Sequence, residues 1–190
     1  MQKIYSSKIG IGAGVFGGII AGLVMLAPMM SMMSVLDLPS DLFPILVGIS
    51  MGQSQESAGA MGFGIHILSS ALIGLVFGAV INTAKFSIKS FKKGISLGVL
   101  TGIVSFGVIF VPMMTNVLPP TMLQWMQMMN PSASQEMIVQ QLQNMQPMLL
   151  VGSFVSHIVY GAVLGIASSI ILKKLPKTLE YNNKHTLRKG

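Results

Sequence analysis

Long uninterrupted runs of apolar residues dominate the pattern of this chain. Four of these runs contain no Asp, Glu, Lys or Arg: residues 9–36, 58–84, 94–118 and 148–172. About 20 helical residues cross the hydrocarbon core of a bilayer, and each run is longer than that. Because a backbone inside lipid must satisfy its own hydrogen bonds, uninterrupted runs of this length predict helices. The sequence therefore predicts an all-α integral membrane protein, a bundle of four transmembrane helices.

The segment after the first run predicts a short helix at the membrane interface. Ser40 is its expected N-cap, and apolar residues between Leu42 and Ile49 recur on one face.

The segment after the third run predicts two surface helices. Pro119-Pro120 is expected to end the span, and Trp125 in the first surface helix suits the depth of the lipid headgroups. Ser132 with Gln135 resembles a capping box that opens the second. That second helix places Ile138, Leu142 and Met145 on one face and glutamines on the other.

Positive charge predicts the orientation of the chain. The 12 lysines and arginines fall in three patches: residues 3–8, 85–93 and 173–189. Basic residues next to spans stay on the cytoplasmic side, so both termini and the central loop are expected there, in the plasma membrane. Four acids, Asp37, Asp41, Glu56 and Glu136, then lie outside. The basic patches are expected to attract anionic lipid.

An internal repeat divides the chain into two helical hairpins. Residues 10–30 align without gaps to residues 94–114, and ten positions are identical: Gly10, Ile11, Gly14, Val15, Gly18, Ile19, Val24, Pro28, Met29 and Met30. Residues 63–74 align to 154–165, which pairs His66 with His157. The predicted single membrane domain (residues 1–190) thus comprises two parallel repeats, 9–84 and 94–172, a cytoplasmic loop 85–93 and a cytoplasmic tail 173–190.

Glycines at helical spacing predict where these helices touch. In lipid, small residues mark helix contact faces because they permit close backbone approach. The predicted packing positions are Gly10, Gly14, Gly18, Gly22, Gly74, Gly78, Gly94, Gly98, Gly102, Gly161 and Gly165. Pro28 and Pro112 lie inside their spans and are expected to kink them.

Two histidines are the only side chains inside the apolar runs that ionise near neutral pH, and they predict a candidate site. His66 and His157 are expected to converge with methionines of the Pro-Met-Met motifs, Met29, Met30, Met113 and Met114. Thioether and imidazole are donors that Cu(I) prefers, so these residues form a candidate metal site. The alternative is structural: neutral histidines bonded to serines or carbonyls, and methionines filling gaps.

Several classes of function are not supported by the sequence. Only 9% of residues are charged, against roughly 25% in soluble domains. The net charge of +7 fits membrane lipid better than nucleic acid, which is not an expected partner. There is no phosphate-binding glycine loop, zinc-binding spacing or paired carboxylate, and an enzyme is not expected.

The motifs Ala-Pro-Met-Met (27–30), Asp-Leu-Pro-Ser-Asp-Leu (37–42), Gly-Ile-His (64–66) and Ile-Gly-Leu-Val-Phe-Gly (73–78) support a family resemblance. Over about residues 10–172 the chain resembles uncharacterised small prokaryotic membrane proteins built from tandem two-helix repeats. The resemblance implies four helices and a membrane location but no activity. The Met- and Gln-rich second external loop departs from it.

Three functions remain open from the sequence. The first is a non-enzymatic subunit or scaffold of a membrane assembly, with membrane-protein partners or as a homo-oligomer. The second is a protein that binds or conducts a soft metal, with Cu(I) at the histidines and methionines. The third is a binder of lipid or a small apolar solute.

Overall fold

The computed structural model describes residues 7–83 and 85–174, and this part of the chain is helical without strands. Predictions about Lys3, Ala84 and the tail beyond residue 174 lie outside the described residues. Six α-helices follow one another: α1 Ser7–Val35, α2 Leu42–Ser50, α3 Gln55–Ile81, α4 Phe91–Ser105, α5 Leu118–Met129 and α6 Gln135–Lys174. Two π-helical segments, Phe106–Phe110 and Met113–Val117, join α4 to α5.

Four helical stretches are long and apolar enough to cross a membrane, as the apolar runs predict. They are Lys8–Val35, Gln55–Ile81, Phe91–Met129 and Gln135–Lys174. The last two have 39 and 40 residues. At 1.5 Å per residue each is about 60 Å long, well beyond a hydrocarbon core of about 30 Å. This length is consistent with a multi-pass membrane protein whose last two helices extend past the bilayer.

The third span does not end at Pro119-Pro120, and that prediction is wrong. The helix continues through α5, where the two prolines occupy its first turn. A proline there lacks only an N–H that the first turn leaves unpaired anyway. The π-helical segment Met113–Val117 leads directly into α5 at Leu118, so the helix continues without interruption.

The predicted second surface helix is the first part of α6. Met137 donates its backbone N–H to the Ser134 hydroxyl, which caps the helix, whereas the predicted cap, Ser132, bonds Asn130. From Gln135 the helix runs unbroken to Lys174, with Pro147 inside it. The apolar face of this segment is therefore continuous with the fourth span instead of lying on lipid by itself.

Helix α1 lies between α3 and α6, and α4 packs on the other side of α6. Neighbours run antiparallel: going up α1, the contacts descend α3 from Gly78 to Ser70. Helices α3 and α4 touch each other at few positions. The order in space is therefore α3, α1, α6, α4, with little packing to close the row between its two ends.

Glycines set the closest approaches within this row. A Cβ on Gly14 would meet the carbonyl oxygen of Gly74 on α3, and one on Gly98 would meet that of Gly161 on α6. Only hydrogen at these positions lets the backbones come this close. The carbonyl of His157 lies in the same way against Gly102.

The end of the bundle away from the lysine-rich loop 85–93 has its own core, which we call the outer core. It is built from α2, α5 and the ends of the spans. Helix α2 begins at Leu42 after Asp41, not after Ser40, and its face packs on α3, where Gly62 lies against Pro44. Trp125 is 7% exposed and packs with Met122. Both segments fold onto the spans and bury their apolar faces against protein. The short helix predicted after the first run is confirmed as α2, whereas the depth of α2 and of Trp125 in the membrane stays a prediction.

Candidate functional site

A cavity of about 120 Å³ lies between the glycine-packed helices and the outer core. A buried water needs about 10–15 Å³ by the same measure, so the cavity has room for several. Its wall is shared by α1, α2, α3, the π-helical region and α6. Six methionines line it: Met25, Met29, Met32, Met33, Met113 and Met114.

Five of the six predicted metal-site residues line this cavity. They are His66, His157, Met29, Met113 and Met114. Met30 does not: its side chain is 43% exposed on the outside of α1. A helix turns by about 100° per residue, and on α1 this turn carries Met30 away from the face of Met29, which is 5% exposed. The expectation that Met30 joins the site is therefore wrong.

Sequence reasoning missed three methionines of the cavity. Met25, Met29 and Met33 are spaced four residues apart and follow the glycine row of α1, which ends at Gly22. That spacing is the signal that places Met25 and Met33 on the same face as Met29. The spacing gives no such signal for Met32, because Met32 does not belong to the row Met25, Met29 and Met33. It lies beside Gly152 of α6.

His66 bonds across the α1–α3 interface. Its Nε2 lies 3.0 Å from the carbonyl oxygen of Gly22. A carbonyl only accepts, so Nε2 must carry the proton. In the neutral ring the other nitrogen, Nδ1, is then the one with a free lone pair.

His157 bonds within its own helix. Its Nδ1 donates to the carbonyl oxygen of Ser153 at 2.8 Å, so its free lone pair is on Nε2 in the neutral ring. The rings of Phe106 and Phe110 pack beside it, with centroids 5.5 and 5.3 Å away. These contacts hold the imidazole in one orientation.

The glycine contacts show how the two hairpins correspond. The carbonyl oxygen of Gly10 lies against Gly78, and that of Gly94 lies against Gly165. Gly10 and Gly94 are matched in the sequence alignment. By contact, therefore, Gly78 corresponds to Gly165.

In this alignment by contacts, the two histidines no longer occupy equivalent positions. With it, His157 corresponds to Ser70 and His66 to Ser153, one helical turn from the pairing of His66 with His157 in the sequence alignment. The apolar composition allows both alignments, and only the contacts separate them. The histidines therefore reach the cavity from different turns of their helices and make different hydrogen bonds.

Hydroxyl groups fix α6 against its neighbours around the cavity. The Tyr160 hydroxyl donates to the carbonyl oxygen of Ser70 on α3 at 2.8 Å, and Tyr160 is 1% exposed. The Ser168 hydroxyl donates to the carbonyl oxygen of Ala13 on α1 at 3.2 Å. These two bonds join helices that are distant in sequence, and the first lies at the cavity, since Tyr160 and Ser70 both line it.

The donors of the cavity are uncharged: thioethers, imidazoles, and the hydroxyls of Ser69, Ser70, Ser105, Ser153, Ser156 and Tyr160. No Asp, Glu, Lys or Arg lines it, and the described residues contain no cluster of three or more His, Cys, Asp or Glu. Hard cations such as Mg²⁺ and Ca²⁺ bind oxygen ligands, mainly carboxylates. Thioether and imidazole donors suit Cu(I).

None of the protein families, curated proteins or solved structures compared with the chain matches it.

Proposed function

We propose that this multi-pass membrane protein binds a soft monovalent cation, Cu(I), in the cavity between α1, α3 and α6. The observation that carries the proposal is that two histidines and six methionines line one cavity. Met29 and Met114 are buried there, while the neighbouring Met30 is exposed. The role is binding or permeation, and we propose no catalysis.

The hydrogen bonds of the histidines support this proposal. A histidine that binds a metal through one ring nitrogen almost always donates from the other to a carbonyl or carboxylate. His66 donates to Gly22 and His157 donates to Ser153. Each ring is thereby oriented, with one nitrogen left to bind a cation.

The charge balance supports a monovalent ion over a divalent one. Transfer of a charge from water into an apolar interior is costly, and the cost rises with charge. The cavity offers no carboxylate to offset a second positive charge.

The test compares adjacent methionines. We expect the purified full chain to take Cu(I) from the chelator bathocuproine disulfonate, with affinity lowered about tenfold or more by Met29→Leu or by the pair His66→Ala and His157→Ala. Met30→Leu is the matched control and should bind as the wild type does. Equal affinity in Met29→Leu and Met30→Leu, or no uptake at all, would refute the proposal. Bound lipid or an apolar solute in place of copper, seen by native mass spectrometry, would favour the third function.

A second candidate, a subunit or scaffold of a membrane assembly, rests on a different observation. The last two spans are about twice as long as a bilayer core is thick, and their joined ends in α5 and α6 expose apolar side chains, among them Met128, Met129 and Met137. Exposed apolar surface outside lipid is typical of a protein contact. Stoichiometric partners after mild detergent extraction would support this role, and their loss in a Met128→Ser and Met129→Ser variant would locate the contact.

The expected resemblance to tandem-repeat membrane proteins, the anionic lipid at the basic patches and the cytoplasmic termini remain proposals. Lys173 covers the ring of Phe91, with its Nζ 3.5 Å from the centroid, and Lys93 donates to the carbonyl oxygen of Lys85. These contacts keep basic residues together at one end of the bundle. That grouping supports attraction of anionic headgroups there.

A further inference from the structure

A second depression lies on the outside of the bundle, where the end of α1 meets the first half of α6. It measures about 420 Å³ and is lined by Leu36, Met137, Gln140, Gln141, Asn144, Met145 and Met148. We call it the outer groove. None of these residues carries a charge, and three are methionines. The groove therefore presents thioether and amide groups at the end of the protein away from the lysine-rich loop.

The outer groove adjoins the cavity along the α1–α6 contact. Met148 lines the groove, and the next residue, Leu149, lines the cavity. Met145 of the groove and Met33 of the cavity belong to one packed cluster. The two spaces therefore share neighbouring residues of α6 and one packed cluster.

Met32 is a further methionine at the α1–α6 contact. It lines the cavity, and a Cβ on Gly152 would meet its Sδ. Gly152 lies one helical turn after Met148 on α6. The missing side chain at Gly152 thus leaves room for a thioether across the interface, between the groove and the deeper methionines of α1.

We propose that the methionines along the α1–α6 contact form a route by which the soft cation passes from the outer groove to the cavity. The route begins at Met137 and Met148, continues past Met145, Met32 and Met33, and ends at Met29. This proposal rests on the proposed function, because it concerns the same ion and the same cavity.

The chemistry of the route follows from its donors. A single thioether holds Cu(I) weakly, so an ion can pass from one sulfur to the next, and conduction needs such weak, repeated sites. No lysine, arginine or histidine lines the groove to repel a cation. The methionine side chain is flexible, so each sulfur can reach toward its neighbour without movement of the backbone.

The first experiment separates the rate of loading from the affinity. The full chain in lipid nanodiscs takes Cu(I) from bathocuproine disulfonate, followed by stopped-flow absorbance. Met137→Leu with Met148→Leu should slow loading about tenfold, equivalent to ~1.4 kcal/mol of barrier, and leave the final affinity unchanged. Met128→Leu with Met129→Leu changes two exposed methionines of α5 that do not line the groove, and it should load at the wild-type rate.

The second experiment moves Met32 without changing a thioether. Gly152→Ala places a methyl group where the Met32 sulfur lies and should slow loading. Gly64→Ala is its control, because a Cβ on Gly64 meets nothing within 4 Å.

The outcomes distinguish the two proposals. If the wild type takes up no Cu(I), the proposed function fails and the route fails with it. If the wild type binds Cu(I) but the groove and Gly152 variants load at the control rate, the route alone is refuted. Slower loading at unchanged affinity supports it.

Discussion

At the scale of single residues, the distance between helices depends on side chains that are missing. Gly14, Gly74 and Gly78 bring α1 and α3 into backbone contact, and Gly98 with Gly161 does the same for α4 and α6. Dispersion forces and weak Cα–H···O contacts at such short range replace the hydrophobic effect, which has little force between helices in lipid. The cavity lies next to these contacts, so its shape depends on them.

Gly14→Ala should therefore destabilise the protein by about 1–3 kcal/mol, the usual cost of overpacking, because its methyl group would strike the Gly74 carbonyl. Gly12→Ala, on the same helix, meets nothing within 4 Å and should have no such cost. Unfolding in mixed micelles with increasing SDS measures both. A Gly14→Ala protein as stable as Gly12→Ala would contradict the contact.

Tyr160→Phe should lower the free energy of unfolding by about 1 kcal/mol, because this is the order of magnitude that a single buried hydrogen bond contributes in a membrane protein. The lost bond joins α6 to α3 through the Ser70 carbonyl. Thr101→Val is the comparison, since the Thr101 hydroxyl bonds only Leu97 within its own helix. Equal stability of Tyr160→Phe and wild type would show that the bond contributes nothing.

Residue patterns predicted the two histidines and three of the six methionines of the cavity, but not the rest of its lining. The position of His66 and His157 inside apolar runs placed both in the membrane, and helical spacing placed Met29 inward. The repeat also suggested that neighbouring Pro-Met-Met methionines act as pairs, and this fails at Met30, which faces outward. The register of the two histidines depends on which glycines meet across an interface, and that contact is not encoded in one helix alone.

At the scale of elements, hydrophobic runs predicted the four spans well and their outer ends poorly. The runs record which residues avoid water, and this is enough to find a span. They do not record whether an apolar face turns to lipid or to another helix. Trp125 and α2 are therefore buried against protein where the sequence favoured the interface. Pro119 and Pro120 suggested the end of the third span, because proline is common both after the end of a helix and in the first turn of a new one.

Trp125 is the only tryptophan, so its fluorescence reports this burial. We expect blue-shifted emission and weak quenching by acrylamide added to the aqueous phase, since the ring is 7% exposed within the outer core. A Trp125→Phe, Met128→Trp variant moves the reporter one helical turn along α5 to a side chain that is 55% exposed, and its quenching should be stronger. Equal quenching at the two positions would contradict the burial of Trp125.

At the scale of the whole molecule, α1 and α6 are the two central helices of the row, and its two end helices, α3 and α4, hardly touch. An exact two-fold arrangement of two hairpins would give α3 and α4 the same contact as α1 and α6. The structure has extensive packing in the second pair and little in the first. The cavity is therefore built mainly around one interface, and its methionines come mostly from α1.

The orientation of the molecule is tested by two added cysteines, because the chain has none. Thr83→Cys lies between α3 and α4, near the lysine-rich loop, and Ser132→Cys lies between α5 and α6. If basic residues face the cytoplasm, a membrane-impermeant maleimide should label the second in intact cells and the first only after permeabilisation. The reverse result would invert the topology.

The central place of α1 also constrains the order of assembly. The face of α1 that contacts α6, at Ala13 and Gly17, stays uncovered while residues 36–134 are synthesised, because α6 follows them in the chain. During that interval the chain has α1, α3 and α4 in the membrane, but neither the Ser153–His157 wall nor a partner for Met32. A chain that stops before α6 would leave the carbonyl oxygens of Ala13 and Ser70 without the hydroxyls of Ser168 and Tyr160 that donate to them. The cavity is thus complete only once the last helix described is in place.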